Sequence, residues 1–150
     1  MKYFTISELL KSDTALKRGI WNGAPKEAEE NLKALVDNVL DPLREAYGKP
    51  VYVTSGYRCP KLNALMGGSP NSQHMRGEAA DIVVCTNNVI AGKDPQSPSL
   101  QGNLLLGKLI EQLGHFDQLI YEQCDANGNP RWIHVSWKRN GWNRRQVLYS

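Results

Sequence analysis

Asp117-Gln118-Leu119-Ile120-Tyr121-Glu122-Gln123 and Arg131-Trp132-Ile133-His134-Val135-Ser136-Trp137 are two short runs rich in β-branched and aromatic residues. Between them lies the turn-forming stretch Asp125-Ala126-Asn127-Gly128-Asn129-Pro130. Asn-Gly between two such runs is a strong hairpin signal, so both segments are read as antiparallel partners. Side chains alternate across a strand. Ile133 and Val135 therefore share one face of the second strand, and Trp132, His134 and Ser136 share the other. In the first strand Leu119 and Tyr121 fall together, as do Ile120 and Glu122. Pairing about Asn127 puts Ile120 opposite His134, with Glu122 as its diagonal neighbour at about 7 Å. Leu119, Tyr121, Ile133 and Val135 then form the core face.

Upstream, Val51 to Ser55 and Ala79 to Val84 have strand composition. The helical signal lies before and between the strands. Thr5 and Glu8 make a capping box for a short first helix, followed by a loop around Trp21-Asn22-Gly23. Pro25 opens a long helix whose Leu32, Leu35, Val36, Val39, Leu40 and Leu43 recur at three- and four-residue spacing. Pro42 is expected to kink it, and Gly48 and Pro50 to end it. Residues 59–73 read as a helical turn and then loop, and 86–103 as polar loop. Leu104 to Leu113 reads as a second core helix ended by Gly114. The expectation is one α+β domain over residues 1–150, with a mostly antiparallel sheet flanked by helices.

A chain of 150 residues has the usual size of one domain, and 41% hydrophobic with 22% charged residues is ordinary for a globular one. The net charge of +3 is too small to select nucleic acid over any other anionic partner. Cys59, Cys85 and Cys124 are widely spaced and odd in number, which argues against a thiolate zinc cluster and a disulfide framework. No stretch approaches the roughly 20 apolar residues of a membrane span. Met1 to Thr5 starts no apolar run of signal-peptide length, so a cytoplasmic product as synthesised is expected, and a monomer.

Chemistry concentrates in Ser72-Gln73-His74-Met75-Arg76-Gly77-Glu78-Ala79-Ala80-Asp81, where a histidine ends a Gly-rich loop and an aspartate lies in the next strand. With His134 they make two imidazoles and a carboxylate, a ligand set that suits a catalytic zinc with one open position. The zinc site is thus expected on the sheet.

These residues resemble the zinc D-Ala-D-Ala carboxypeptidase family, which also includes vancomycin-resistance dipeptidases and phage endolysin peptidases. The family's S-x-H-x-x-G-x-A-x-D motif is met by Ser72, His74, Gly77, Ala79 and Asp81, and its W-[IV]-H-V-S strand by Trp132 to Ser136. Ser55-Gly56-Tyr57-Arg58 is similar to its S-x-Y-R segment. The resemblance implies zinc on His74, Asp81 and His134. It implies Arg58 on a substrate carboxylate or oxyanion, and a peptidoglycan stem peptide or cross-bridge as substrate. Ser72 could hydrogen-bond substrate or serve as a loop cap, and Gly77 would serve the turn between two ligands. A cell-wall lysis enzyme of phage or prophage, released by another factor, fits this reading.

One position departs from the family. Many members carry the catalytic acid three residues before the last histidine, where this chain has Arg131. Glu122, on the metal-facing side of the paired strand, is the expected general base; the alternative is a solvated strand glutamate. Asp117 and Asp125 are weaker rivals. The missing acid also leaves open a catalytically inactive, zinc-stabilised module that binds wall peptide. Lys138, Arg139, Arg144 and Arg145, interleaved with Trp137 and Trp142, make a basic C-terminus. It reads as a solvated tail, a surface for anionic wall polymer or, least favoured, a nucleic-acid patch.

Overall fold

Five strands, β1 (Tyr52–Ser55), β2 (Ala79–Val83), β3 (Gln118–Glu122), β4 (Trp132–Ser136) and β5 (Gln146–Tyr149), make one sheet in the order β1-β2-β4-β3-β5. The structure is a computed structural model and describes residues 1–85 and 98–150. Neighbouring strands are antiparallel except β3 and β5, which run parallel. The hairpin has the expected register, with Ile120 opposite His134 and Glu122 opposite Trp132.

The helices are α1 (Ile6–Leu10), α2 (Asp13–Arg18), α3 (Lys26–Leu35), α4 (Asp41–Tyr47), α5 (Pro60–Leu65) and α6 (Leu100–Leu113). Thr5 caps α1 by accepting from the Glu8 N–H, and Ser12 caps α2 in the same way from Ala15. α2 was not expected, because its six residues are too few to show a periodic apolar face. The irregularity foreseen at Pro42 takes the form of a π-helical turn, Val36–Leu40, joining α3 to α4. Pro42 cannot donate to residue 38 and its ring crowds that carbonyl, so the chain widens one turn upstream.

Two further expectations are corrected. α6 starts at Leu100, four residues before the expected Leu104, with Ser99 accepting from the Gly102 N–H. Gln101, Gly102 and Asn103 look like loop, yet Asn103 is fully buried because its amide has long-range partners. It accepts from the Val84 N–H at 2.9 Å and donates to the Pro130 and Arg131 carbonyls at 3.1 and 2.9 Å. The rest of that expected loop, residues 86–97, lies outside the described residues. The C-terminus is not a free tail, since residues 146–149 pair along β3 and Tyr149 stacks on Tyr121 with ring centroids 4.8 Å apart.

The core forms where the apolar helix face meets one side of the sheet. Leu32, Leu35, Val36, Leu40 and Leu43 are fully buried there, with Leu106 and Ile110 of α6. They meet Ala80, Ile82, Leu119, Tyr121, Ile133 and Val135. Each of the large side chains contributes about 1.5–3 kcal/mol by leaving water. Because β-strand side chains alternate, fixing this set against the helices presents Asp81, His134, Ile120 and Glu122 on the opposite side.

Candidate metal centre

Asp81 and His134 are direct cross-strand partners in the β2–β4 register. His134 Nδ1 lies 3.0 Å from Asp81 Oδ1. The third residue comes from a 3-10 turn, Gln73–Arg76, laid over β2. Ser72 opens that turn, accepting from the His74 N–H at 3.2 Å, and Gly77 closes it in the left-handed region at φ 73°. A side chain at Gly77 would also overlap the Ala28 carbonyl of α3, so only glycine lets the turn sit this close to the helix. His74 thereby reaches Asp81, with Nε2 3.3 Å from Oδ1.

The donor atoms of His74, Asp81 and His134 all lie within 4.8 Å of one another, and all three residues are buried. A tetrahedral zinc with bonds of about 2.0–2.1 Å spaces its ligands roughly 3.3 Å apart, close to the two separations measured to Asp81. The protonation pattern fits as well. The His74 Nδ1–H donates to the Gly56 carbonyl at 2.7 Å, which leaves the Nε2 lone pair facing the cluster. Burial works to raise the Asp81 pKa, but His74 and His134 overcome it and hold the carboxyl well below its usual range. The residues therefore present two imidazole nitrogens and a carboxylate, a donor set that suits zinc.

Arg58 takes the other side of the aspartate. Its Nη2 lies 3.3 Å from Asp81 Oδ2, its Nε donates to Ser55 Oγ at 3.0 Å and its Nη1 reaches Asn63 Oδ1 at 3.4 Å. The Arg58 N–H donates to the His74 carbonyl at 3.0 Å, so one residue braces two of the three clustered residues. One cleft of about 560 Å³ brings His74, Asp81 and His134 together with Arg58, Ser72 and Glu122. Glu122 is half-buried, and its Oε1 accepts from the Ser150 hydroxyl at 2.8 Å.

The rivals to Glu122 have other partners. Asp125 is exposed and closes the hairpin loop, accepting from the Asn127 and Asn129 N–H groups at 2.9 Å each. Asp117 is fully buried. It accepts from Gln73 Nε2 at 3.1 Å and from the Arg144 N–H, Nε and Nη2 at 2.9, 3.1 and 2.9 Å. Burial works to raise its pKa, but the Arg144 hydrogen bonds, with that charge and Gln73, win and lower it. Arg131 is exposed, and its backbone N–H pairs with the Glu122 carbonyl.

Sequence reasoning missed the support around His74, Asp81 and His134. Gln73, Asn63 and the Gly56 carbonyl carry no local signal of their role, because each acts through a partner distant in the chain. Gln73 did stand next to His74 in the motif. The basic C-terminus is likewise divided: Arg144 is held by Asp117, while Arg139 pairs with Glu27 at 2.8 Å and Asn31 at 2.9 Å on α3.

The family description Peptidase M15 matches residues 2–93, which include His74 and Asp81. The chain is also 37% identical, over 82 residues, to the zinc D-Ala-D-Ala carboxypeptidase of Streptomyces albus G. That stretch is 53% of this chain and 30% of the relative, so the chain matches less than a third of that protein's length.

Proposed function

The chain belongs to the peptidase M15 family, and from that premise we propose that it is a zinc-dependent peptidase hydrolysing bonds next to D-amino acids in peptidoglycan stem peptides or cross-bridges. The observation that carries the proposal is the meeting of His74, Asp81 and His134 in one cleft with Arg58 and Glu122. The name of the Streptomyces relative supports the substrate class.

His74, Asp81 and His134 would hold the metal. Bound zinc supplies Lewis-acid chemistry, lowering the pKa of a coordinated water towards about 7 and polarising the scissile carbonyl. Glu122 takes the proton from the attacking water and passes it to the leaving amine. Release from Ser150 Oγ frees the Oε1 acceptor for that task. Arg58, with one nitrogen on Asp81 and a planar fork, both positions that ligand and offers donors to a substrate carboxylate or oxyanion. Ser72 is already used as a cap, and its second lone pair remains for a substrate N–H.

Arg131 at the family's usual acidic position favours the second reading, a module that binds wall peptide without cutting it. Mass spectrometry of defined muropeptides incubated with the protein separates the two. Peptidase action predicts discrete products that disappear on chelation. It also predicts that Glu122→Gln lowers turnover by about 10²–10⁴-fold with zinc retained. Intact muropeptides after exposure to zinc-loaded protein would reject hydrolysis.

A further inference from the structure

The charge lining the cleft exceeds what the metal centre uses. Arg58, Arg76, Lys138 and Arg144 line it against the carboxylates Asp81 and Glu122. Arg58 is matched by Asp81, and Arg76 by Glu78 at 2.8 Å. Lys138 and Arg144 are different, because both depend on one carboxylate. Arg144 grips Asp117 at 2.9 Å, while Lys138 Nζ stands 4.0 Å from the same oxygen, its nearest carboxylate among the described residues. Asp117 has no exposure, whereas the Lys138 and Arg144 side chains are 34% and 48% exposed. Two cations share one buried anion on this wall, so Lys138 has no carboxylate closer than 4.0 Å among the described residues, while Glu122, held by Ser150, carries the remaining negative charge of the cleft.

The local fold holds Lys138 and Arg144 in place. The Lys138 N–H donates to Asn143 Oδ1 at 2.7 Å and Asn143 Nδ2 returns to the Lys138 carbonyl at 3.2 Å, closing the loop between the two cations. The Gln146 N–H donates to the Asp117 carbonyl at 2.9 Å and starts β5. Arg144 is thus fixed through its backbone and its guanidinium together, and part of its fork still faces outward. In the sheet order this pair belongs to the β3–β5 side, whereas Arg58 approaches from the β1 side. Preorganised, half-exposed cations in a cleft favour a fixed anion, and two adjacent donors suit the two oxygens of a carboxylate.

We infer that Lys138 and Arg144 form a carboxylate-recognising subsite, separate from Arg58, that selects peptides bearing a free acidic group near the scissile bond. The inference rests on the peptidase reading and narrows its substrate class to acidic peptides. It also accounts for the fifth strand, which ties Arg144 to the sheet.

Two synthetic peptides test it, identical except that the residue flanking the scissile D-residue carries either a carboxylate or a carboxamide. Cleavage is followed with zinc-loaded protein, and binding by calorimetry with versions methylated at the scissile nitrogen. The carboxylate form should be preferred about tenfold, mainly through KM, the low end for a hydrogen-bonded charge because these cations are half exposed. Added salt should shrink the ratio. Lys138→Met should bring it close to one; this variant is preferred to one at Arg144, whose loss would strand buried Asp117. Equal cleavage of both peptides by the wild type, or an undiminished preference in Lys138→Met, overturns the subsite while peptidase activity stands. If neither peptide is cut but the carboxylate form binds more tightly and Lys138→Met abolishes that difference, the subsite stands and the peptidase reading fails. Neither cleavage nor binding would reject both.

Discussion

Asp117→Asn tests the join between the C-terminal strand and the turn that carries His74. The substitution removes a buried charge and turns one carboxylate oxygen into a donor. At the Oδ1 position the new amide would face both the N–H and the Nε of Arg144, which are 2.9 and 3.1 Å away. At the Oδ2 position it would face Arg144 Nη2 at 2.9 Å and Gln73 Nε2 at 3.1 Å, and Gln73 can turn its amide to accept. The second arrangement sacrifices less, chiefly one hydrogen bond to a charged group, which is worth about 1.5–3 kcal/mol. Arg144 is half exposed and keeps much of its hydration, which places the loss near 2 kcal/mol. With a typical urea slope, the unfolding midpoint should fall by about 1 M at neutral pH. The pH dependence has a defined sign. The Asp117 pKa is lowered on folding, so its contribution is present above the unfolded carboxylate value near ~4 and is lost as pH falls through the folded value. The wild type and Asp117→Asn curves should therefore converge in acid. Coincident midpoints at neutral pH, or a gap that does not narrow below about pH 4, would refute this account of Asp117.

Two other substitutions address the remaining supports. Gly77→Ala places a side chain in the left-handed region and against the Ala28 carbonyl, so it should destabilise by about 2–5 kcal/mol in urea unfolding and weaken zinc binding. Stability equal to wild type would show that the turn can move off α3. Arg58→Lys keeps the charge but loses the planar fork, so turnover should fall at least tenfold with zinc still bound, and unimpaired kinetics would remove Arg58 from catalysis.

Legibility in the sequence followed the range of the interactions. The hairpin register could be read because alternation and an Asn-Gly turn are local, and it fixed which residues share a face with His134. The long helix was legible from six apolar positions that the structure buries. β5 was not, because its partner β3 lies some 28 residues earlier and parallel pairing leaves no turn signature. The start of α6 was missed because Asn103 has poor helix propensity and is retained for contacts with Val84, Pro130 and Arg131. At the site, the residue types of the His74, Asp81 and His134 cluster and their order stood in the motifs. The bracing by Arg58, Gln73 and Asp117 did not, since it depends on the three-dimensional return of the chain to Asp81 and His74.

Metal content measured beside hydrolysis of a defined wall peptide tests the central claim most directly. Purified wild-type protein should bind about one zinc per chain, lose both metal and hydrolysis on exhaustive chelation, and regain both when zinc is restored. His134→Ala, which removes a ligand while sparing the core face, should hold zinc far more weakly and fail to cleave. Near-stoichiometric zinc at wild-type affinity in His134→Ala, or hydrolysis that survives complete removal of metal, would contradict the account.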